Sequence, residues 1–148
     1  MSNLAETFQN LADDQKRLVH LELCRNALRI WQEYASQFEK IDYVEGIVGT
    51  YQIVDKCLPK DAFEAVVRGH DEKKVDWRYA EPISAMQDDY LEFPDHIEFA
   101  YYAIYNLFNK YILCLNIDDW LICNQALSAE NNLEIVDSLL TDAILKSL

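Results

Sequence analysis

Turn-forming residues are scarce in this sequence, with three glycines and three prolines in 148 residues. So few turns exclude a sandwich or barrel of many short strands. A hydrophobic content of 51% excludes an intrinsically disordered chain. No uncharged apolar segment approaches the roughly 18 residues that a membrane span requires. From Met1 to Gln15 there is no basic region followed by an apolar run, so no signal peptide is expected. These absences predict a soluble, cytoplasmic protein with one domain over residues 1–148.

Chemical motifs are lacking as well. The four cysteines include no C-x-x-C pair, so neither a disulfide framework nor a zinc site is expected, and Cys24 and Cys114 read as small hydrophobes in helices. Three histidines are present, His20, His70 and His96, and none belongs to an H-E-x-x-H. No glutamate is followed three residues later by histidine, the spacing that aims two ligands into a helical bundle. There is no G-x-S-x-G, and Gly46, Gly49 and Gly69 make neither a G-x-G-x-x-G nor a Walker loop. His70 and Asp71, with Arg68, Lys73, Lys74 and Arg78 nearby, read as a solvated loop. The expectation is a protein without catalytic residues, metal or cofactor, and not an enzyme.

Positive charge is the next shortage. From Glu81 to Leu148 only Lys110 and Lys146 oppose twelve acidic residues, so this stretch carries −10 of the net −13. The first eighty residues are nearly balanced, with fourteen acids against eleven bases. Such a field repels nucleic acid and anionic lipid and attracts a basic partner. Asp13-Asp14, Asp88-Asp89 and Asp118-Asp119 are paired carboxylates, which do acid–base work only where burial separates their pKa values. Asp118-Asp119 precedes an apolar run at once and reads as a helix cap.

What remains is helical periodicity, and the pattern predicts an all-α bundle of about five to seven helices around a central apolar helix. A first long helix is expected from about Leu11 to Glu39. Leu21, Cys24, Leu28, Trp31, Ala35 and Phe38 lie on one face, with Asp13–Arg17 and Arg29–Glu33 as i,i+4 pairs on the wet side. A second is expected from Tyr43 to Leu58, with Val44, Ile47, Val48, Tyr51, Val54 and Leu58 inward. Gly46 and Gly49 would mark a close helix approach there, and Pro59 would end the run. Asp61 to Arg68 reads as a short helix with an Asp cap, Gly69 to Ala80 as a loop, and Glu81 to Tyr90 as a short helix with Pro82 in its first turn. The central helix is expected at about 95–115. Asp95 is its cap, Glu98 completes a capping-box pattern, and Ile97, Tyr101, Ile104, Phe108, Tyr111 and Leu115 form a continuous stripe. Phe99 and Leu113 point to the opposite side, so this helix is apolar nearly all round. A turn at 116–118, a helix through Ser128 and a closing helix carrying Leu133, Val136, Leu139, Leu140 and Ile144 complete the chain.

Nine Tyr, six Phe and three Trp are the second unusual feature, and most should be core by their spacing. Stacking on bases needs accompanying positive charge, which the tyrosine-rich helix lacks apart from Lys110. Tyr90, Tyr102 and Tyr105 are the candidates for exposure beside the acids. The expected partner-binding residues are therefore Asp88, Asp89, Tyr90, Glu92, Asp95, Tyr102, Tyr105, Asp118 and Asp119, with carboxylates steering and aromatics anchoring. The segments Asp88-Asp89-Tyr90-Leu91-Glu92-Phe93-Pro94-Asp95 and Asp118-Asp119-Trp120-Leu121-Ile122-Cys123-Asn124-Gln125 carry this pattern. In general character the chain resembles the cytoplasmic immunity proteins that bacteria keep against toxins. It shares with them small size, acidity, helicity and the lack of catalytic motifs, and the resemblance assigns no residue. It implies a basic toxin domain as partner, for instance a nuclease, and occlusion of its active site as mechanism. The alternative is a helical scaffold or adaptor whose acidic surface serves solubility. An exposed Tyr102–Tyr105 face would equally suit a homodimer.

Overall fold

Leu21, Cys24, Leu28, Trp31 and Ala35 form the buried stripe of a 23-residue helix, α2 (Asp13–Ala35), which packs against four other helices. A six-residue helix, α1 (Leu4–Gln9), precedes it and plugs the core with Phe8. The computed structural model describes residues 3–46 and 48–148. Met1, Ser2 and Ile47 lie outside them, and with Ile47 goes one expected inward residue of the second helix. α2 ends before Phe38, which is exposed, so the expected extension to Glu39 is corrected. Arg29 pairs with Glu33 at 3.0 Å. Arg17 turns away from Asp13, and its guanidinium donates to the Val66 carbonyl at 2.8 Å.

The expected second helix is a β-hairpin. β1 (Asp42–Glu45) and β2 (Thr50–Ile53) pair antiparallel, with Tyr43 opposite Gln52 and Val44 opposite Tyr51. Its turn needs Gly46 and Gly49 in the left-handed region, at φ 66° and 70°, where residues with a Cβ are strained. The Gly49 N–H closes that turn on the Gly46 carbonyl at 3.2 Å. No helix approaches either glycine: a Cβ on Gly46 would meet nothing within 4 Å. The three-and-four spacing of Val44, Val48, Tyr51 and Val54 imitated a helix, while their β-branched and aromatic character suits a pleated ribbon.

α3 (Leu58–Arg68) opens with Pro59 in its first turn and ends at Gly69, φ 84°. Asp61 does not cap it. Its carboxylate is buried against Arg78 Nη1 at 2.9 Å and Lys73 Nζ at 3.3 Å. The expected loop at 69–80 is shorter, because α4 (Val75–Gln87) begins at Val75 and buries Val75, Tyr79, Ile83 and Met86 on one face. Pro82 therefore stands inside this helix, not in its first turn, and withholds a hydrogen bond from the Arg78 carbonyl.

α5 (Asp95–Tyr111) buries Ile97, Ala100, Tyr101, Ile104, Leu107 and Phe108 and packs on α2, α3 and a later helix. Pro94 is its boundary residue and Asp95 stands in the first turn, where a carboxylate favours the dipole's positive end. Glu98 reaches back as expected, but to the N–H of Phe93, at 3.3 Å. The helix stops at Tyr111. Cys114, at φ 57°, and Leu115 are exposed, which corrects both from core to surface. α6 (Asp119–Ser128) is capped by Asp118, whose Oδ2 accepts from the Leu121 N–H at 3.1 Å. α7 (Leu133–Ser147) is capped by Asn132 and buries Leu140, Ala143 and Ile144, while Leu133 is 79% exposed. The described residues thus form an all-α bundle of seven helices about one core, with a single two-stranded sheet at its side. Among the described residues no helix is long and apolar enough to cross a membrane.

Truncating the centre should be severe. Ile104→Ala should lose about 2–5 kcal/mol in urea denaturation, whereas Leu133→Ala should stay within about 0.5 kcal/mol.

Candidate functional site

α4 presents an outward row as well as an inward one. Trp77, Glu81, Ser84 and Asp88 follow each other at spacings of three and four, so they stand one above the other on the face away from the core. Trp77 is 81% exposed. An indole so placed gives up a large apolar area to water, a common mark of a binding anchor. The hairpin closes on this row. Tyr43 turns inward and its hydroxyl donates to Glu81 Oε1 at 2.6 Å. Glu45, on the same face of the ribbon, meets Glu81 too. Its carboxyl is held above the usual range by a hydrogen bond with Glu81 and by the negative charge of Glu81 and Asp88. None of the ion pairs among the described residues uses Glu45, Glu81 or Asp88. Three carboxylates from two elements therefore converge without a cation of their own.

The other hairpin face carries Val44, Tyr51 and Ile53, all exposed. Tyr51 is fixed there, since its hydroxyl donates to Asp42 Oδ2 at 2.6 Å and accepts from Lys40 Nζ at 2.8 Å.

The connection from α4 to α5 extends the acidic side. Asp89 ends α4 in the left-handed region, φ 63°, a conformation that Asp tolerates better than most residues. An alternation follows: Leu91 and Phe93 are buried, while Tyr90, Glu92 and Asp95 are exposed. Five expected binding residues, Asp88, Asp89, Tyr90, Glu92 and Asp95, thus share one segment, and the interaction of Asp88 with Glu45 joins it to the hairpin.

The other four lie elsewhere. Tyr102 and Tyr105 are half-buried against the core, and Tyr105 stacks at 5.0 Å from Tyr79, which corrects their expected exposure. Asp118 and Asp119 stand past the far end of α5, a helix about 25 Å long at 1.5 Å per residue. Both are engaged within the fold. Asp118 caps α6, and Asp119 meets Lys110 Nζ at 2.7 Å and Lys16 Nζ at 3.4 Å. Burial raises the Asp119 pKa, but Lys110 and then His20 and Lys16 outweigh it and hold the carboxyl below its usual range.

Asp119 also orients His20, a fully buried imidazole. His20 Nε2 faces the Asp119 carbonyl at 2.8 Å and Nδ1 faces the Tyr111 hydroxyl at 2.6 Å. A carbonyl only accepts, so Nε2 carries the proton and Nδ1 accepts from Tyr111, which defines one neutral tautomer. Burial pushes this imidazole down to about 4, against the hydrogen bond and charge of Asp119. A cleft of about 250 Å³ opens beside it, lined by Asp13, Lys16, Lys110, Tyr111 and Asp119. With both ring nitrogens occupied and no exposed surface, His20 serves this corner as a packing and hydrogen-bonding residue. Among the described residues no group of three or more His, Cys, Asp or Glu is arranged to hold a metal ion.

Sequence reading missed Trp77, Glu45 and Glu81 as site residues. The available signal was the row from Trp77 to Asp88, once α4 is extended back to Val75. No protein-family model matches the chain, and no significant match was found among curated proteins or solved structures.

His20 makes the acid limb of stability testable. Its folded pKa lies below the ordinary 6.5, so protons bind the unfolded chain first. The stability due to the neutral imidazole is full above about pH 6.5 and falls as the pH drops toward 4, by about 3 kcal/mol in all. Denaturation of the wild type and of His20→Phe across this range should show the two curves converging at acid pH. Parallel curves would mean that the His20 imidazole binds its proton equally well in the folded and unfolded chains.

Proposed function

We propose that this protein is a non-enzymatic acidic binding protein that neutralises a basic protein partner, in the manner of an immunity protein occluding the active site of a toxin. The observation that carries this reading is Trp77, largely exposed on the helix face that also bears Glu81 and Asp88, carboxylates that the described residues leave without cations. The division of labour follows from physics. Glu45, Glu81, Asp88, Asp89, Glu92 and Asp95 raise the encounter rate with a positive surface and set its orientation. Trp77 supplies apolar area that becomes dry on docking, and the exposed Tyr90 on the segment after α4 adds to it. Tyr102, Tyr105, Asp118 and Asp119 leave the binding set, because the fold already uses them. Occlusion requires only that this face cover the partner's active site.

The test is capture from a lysate of the source cells with three baits: wild type, Trp77→Ala, and Leu133→Ala as a control at a distant exposed site. The wild type and the control should retain a stoichiometric basic protein through moderate salt. Trp77→Ala should weaken the complex by roughly 30-fold or more, mainly by faster dissociation. Charge reversal at Asp88 and Asp89 to Lys should instead slow association and flatten its salt dependence. Equal retention by all three baits would remove Trp77 from the interface. Capture of no basic protein would favour the scaffold reading, with acidity serving solubility.

A further inference from the structure

α2 and α3 part over a cleft of about 250 Å³, lined by Arg25 on α2 and by Phe63, Glu64, Val67 and Arg68 on α3. Helical spacing places the α3 residues. Phe63 and Val67 stand one turn apart and make an apolar floor, Phe63 buried and Val67 about half exposed. Glu64 and Arg68 stand one turn apart along the rim. Arg25 reaches across from α2, and its guanidinium lies over the Phe63 ring, 5.2 Å from the centroid. At Val66, next in sequence to Val67, Arg17 ties the two walls together by donating to the carbonyl at 2.8 Å.

The charge here runs against the rest of the chain. Asp and Glu outnumber Lys and Arg by 26 to 13, yet none of the ion pairs among the described residues uses Arg25 or Arg68. Glu64 precedes Arg68 by four residues, the spacing at which helical ion pairs form, and is in none of them either. One carboxylate balances one guanidinium, and the cleft holds two. An acidic protein thus carries a cationic notch with a phenyl floor.

We infer that this cleft binds a small monocarboxylate with an aryl or alkyl body, at a site that shares no residue with the acidic face and stands independently of the binding-protein reading. The carboxylate meets the guanidiniums of Arg25 and Arg68, planar forks that suit its two oxygens. The apolar body lies on Phe63 and Val67 and becomes dry there. The volume, below the ~300–1,000 Å³ of drug-sized sites, keeps the ligand small. Charge selects its class. One carboxylate together with Glu64 balances the two arginines, whereas a phosphate monoester, at about −1.5 to −2 near pH 7, overshoots that balance and is repelled by Glu64.

3-Phenylpropanoate tests this on the full chain, with 3-phenylpropanamide as its uncharged isostere and acetate as the head alone. In amide NMR, phenylpropanoate at millimolar concentration should give saturable shifts at Arg25, Phe63, Glu64, Val67 and Arg68. The amide should bind roughly tenfold more weakly, and acetate should be silent. Arg25→Gln should weaken phenylpropanoate by a similar factor at an unchanged melting temperature, since the side chain is exposed. Glu64→Gln should tighten binding severalfold, because it removes the competing carboxylate from the rim. Absence of saturation, equal binding of the amide, or no gain from Glu64→Gln would overturn the site. Shifts at the same residues on raising the protein concentration alone would assign the cleft to an acidic segment of a second copy and overturn the small-ligand site as well. Capture of a partner through Trp77 stands or falls separately from all of these results.

Discussion

Trp31 is the residue on which the rest of the arrangement depends. Its ring is fully buried and lies edge-on to Phe93 at 5.3 Å and to Tyr101 at 5.1 Å, while its Nε1–H donates to the Lys56 carbonyl at 2.9 Å. One side chain of α2 thereby fixes the centre of α5, the segment leading into it, and the strand exit of the hairpin. Lys56 then returns the favour to the chain's other side, donating to the carbonyls of Phe38 and Glu39 at 2.6 and 3.1 Å. A lone two-stranded ribbon is marginal in water. Here both of its ends are tied to the core, and its inner tyrosine is tied to α4.

That anchoring decides which acids are available. The same excess of carboxylates has two fates in this fold. At the far end of α5, Asp118 and Asp119 satisfy a helix start and two lysines and hold the carbonyl that orients His20. At the near end, Glu45, Glu81 and Asp88 repel one another and are joined by Asp89, Glu92 and Asp95 on a connection whose Leu91 and Phe93 are sunk in the core. Like charges held together in this way destabilise the free chain, and an incoming cation relieves the repulsion. Neutral pairing in one place and unrelieved repulsion in another is the physical distinction between acids that build the fold and acids that the fold leaves without a cation.

Much of this was legible from residue order. α2 and α5 were, because their stripes of Leu, Ile, Trp and Tyr repeat at helical spacing over several turns and no other structure buries them all. The Asp118 cap and the acidic segment at 88–95 were also legible, since charge needs no tertiary context. The hairpin was not: Val44, Val48, Tyr51 and Val54 satisfy a helical period by coincidence, and only the left-handed backbone at Gly46 and Gly49 separates the two readings. Trp77 was lost because α4 begins after Lys74, a left-handed residue that caps nothing with its own side chain. The carboxylate that does accept from the Val75 and Asp76 N–H groups, Asp71 at 2.9 and 3.4 Å, stands four and five residues back, outside the usual cap position. Tyr102 and Tyr105 sit on a helix that is apolar almost all round, and which of its faces is covered depends on neighbours far away in sequence. The Glu45–Glu81 meeting is tertiary in the same sense.

Hydrogen exchange on the free chain and on its complex with the captured partner measures the central claim most directly. The account predicts slowed amide exchange over 42–53 and 75–90, with α7 unchanged. Protection confined to α6 or α7, with the hairpin and α4 exchanging as in the free chain, would contradict it.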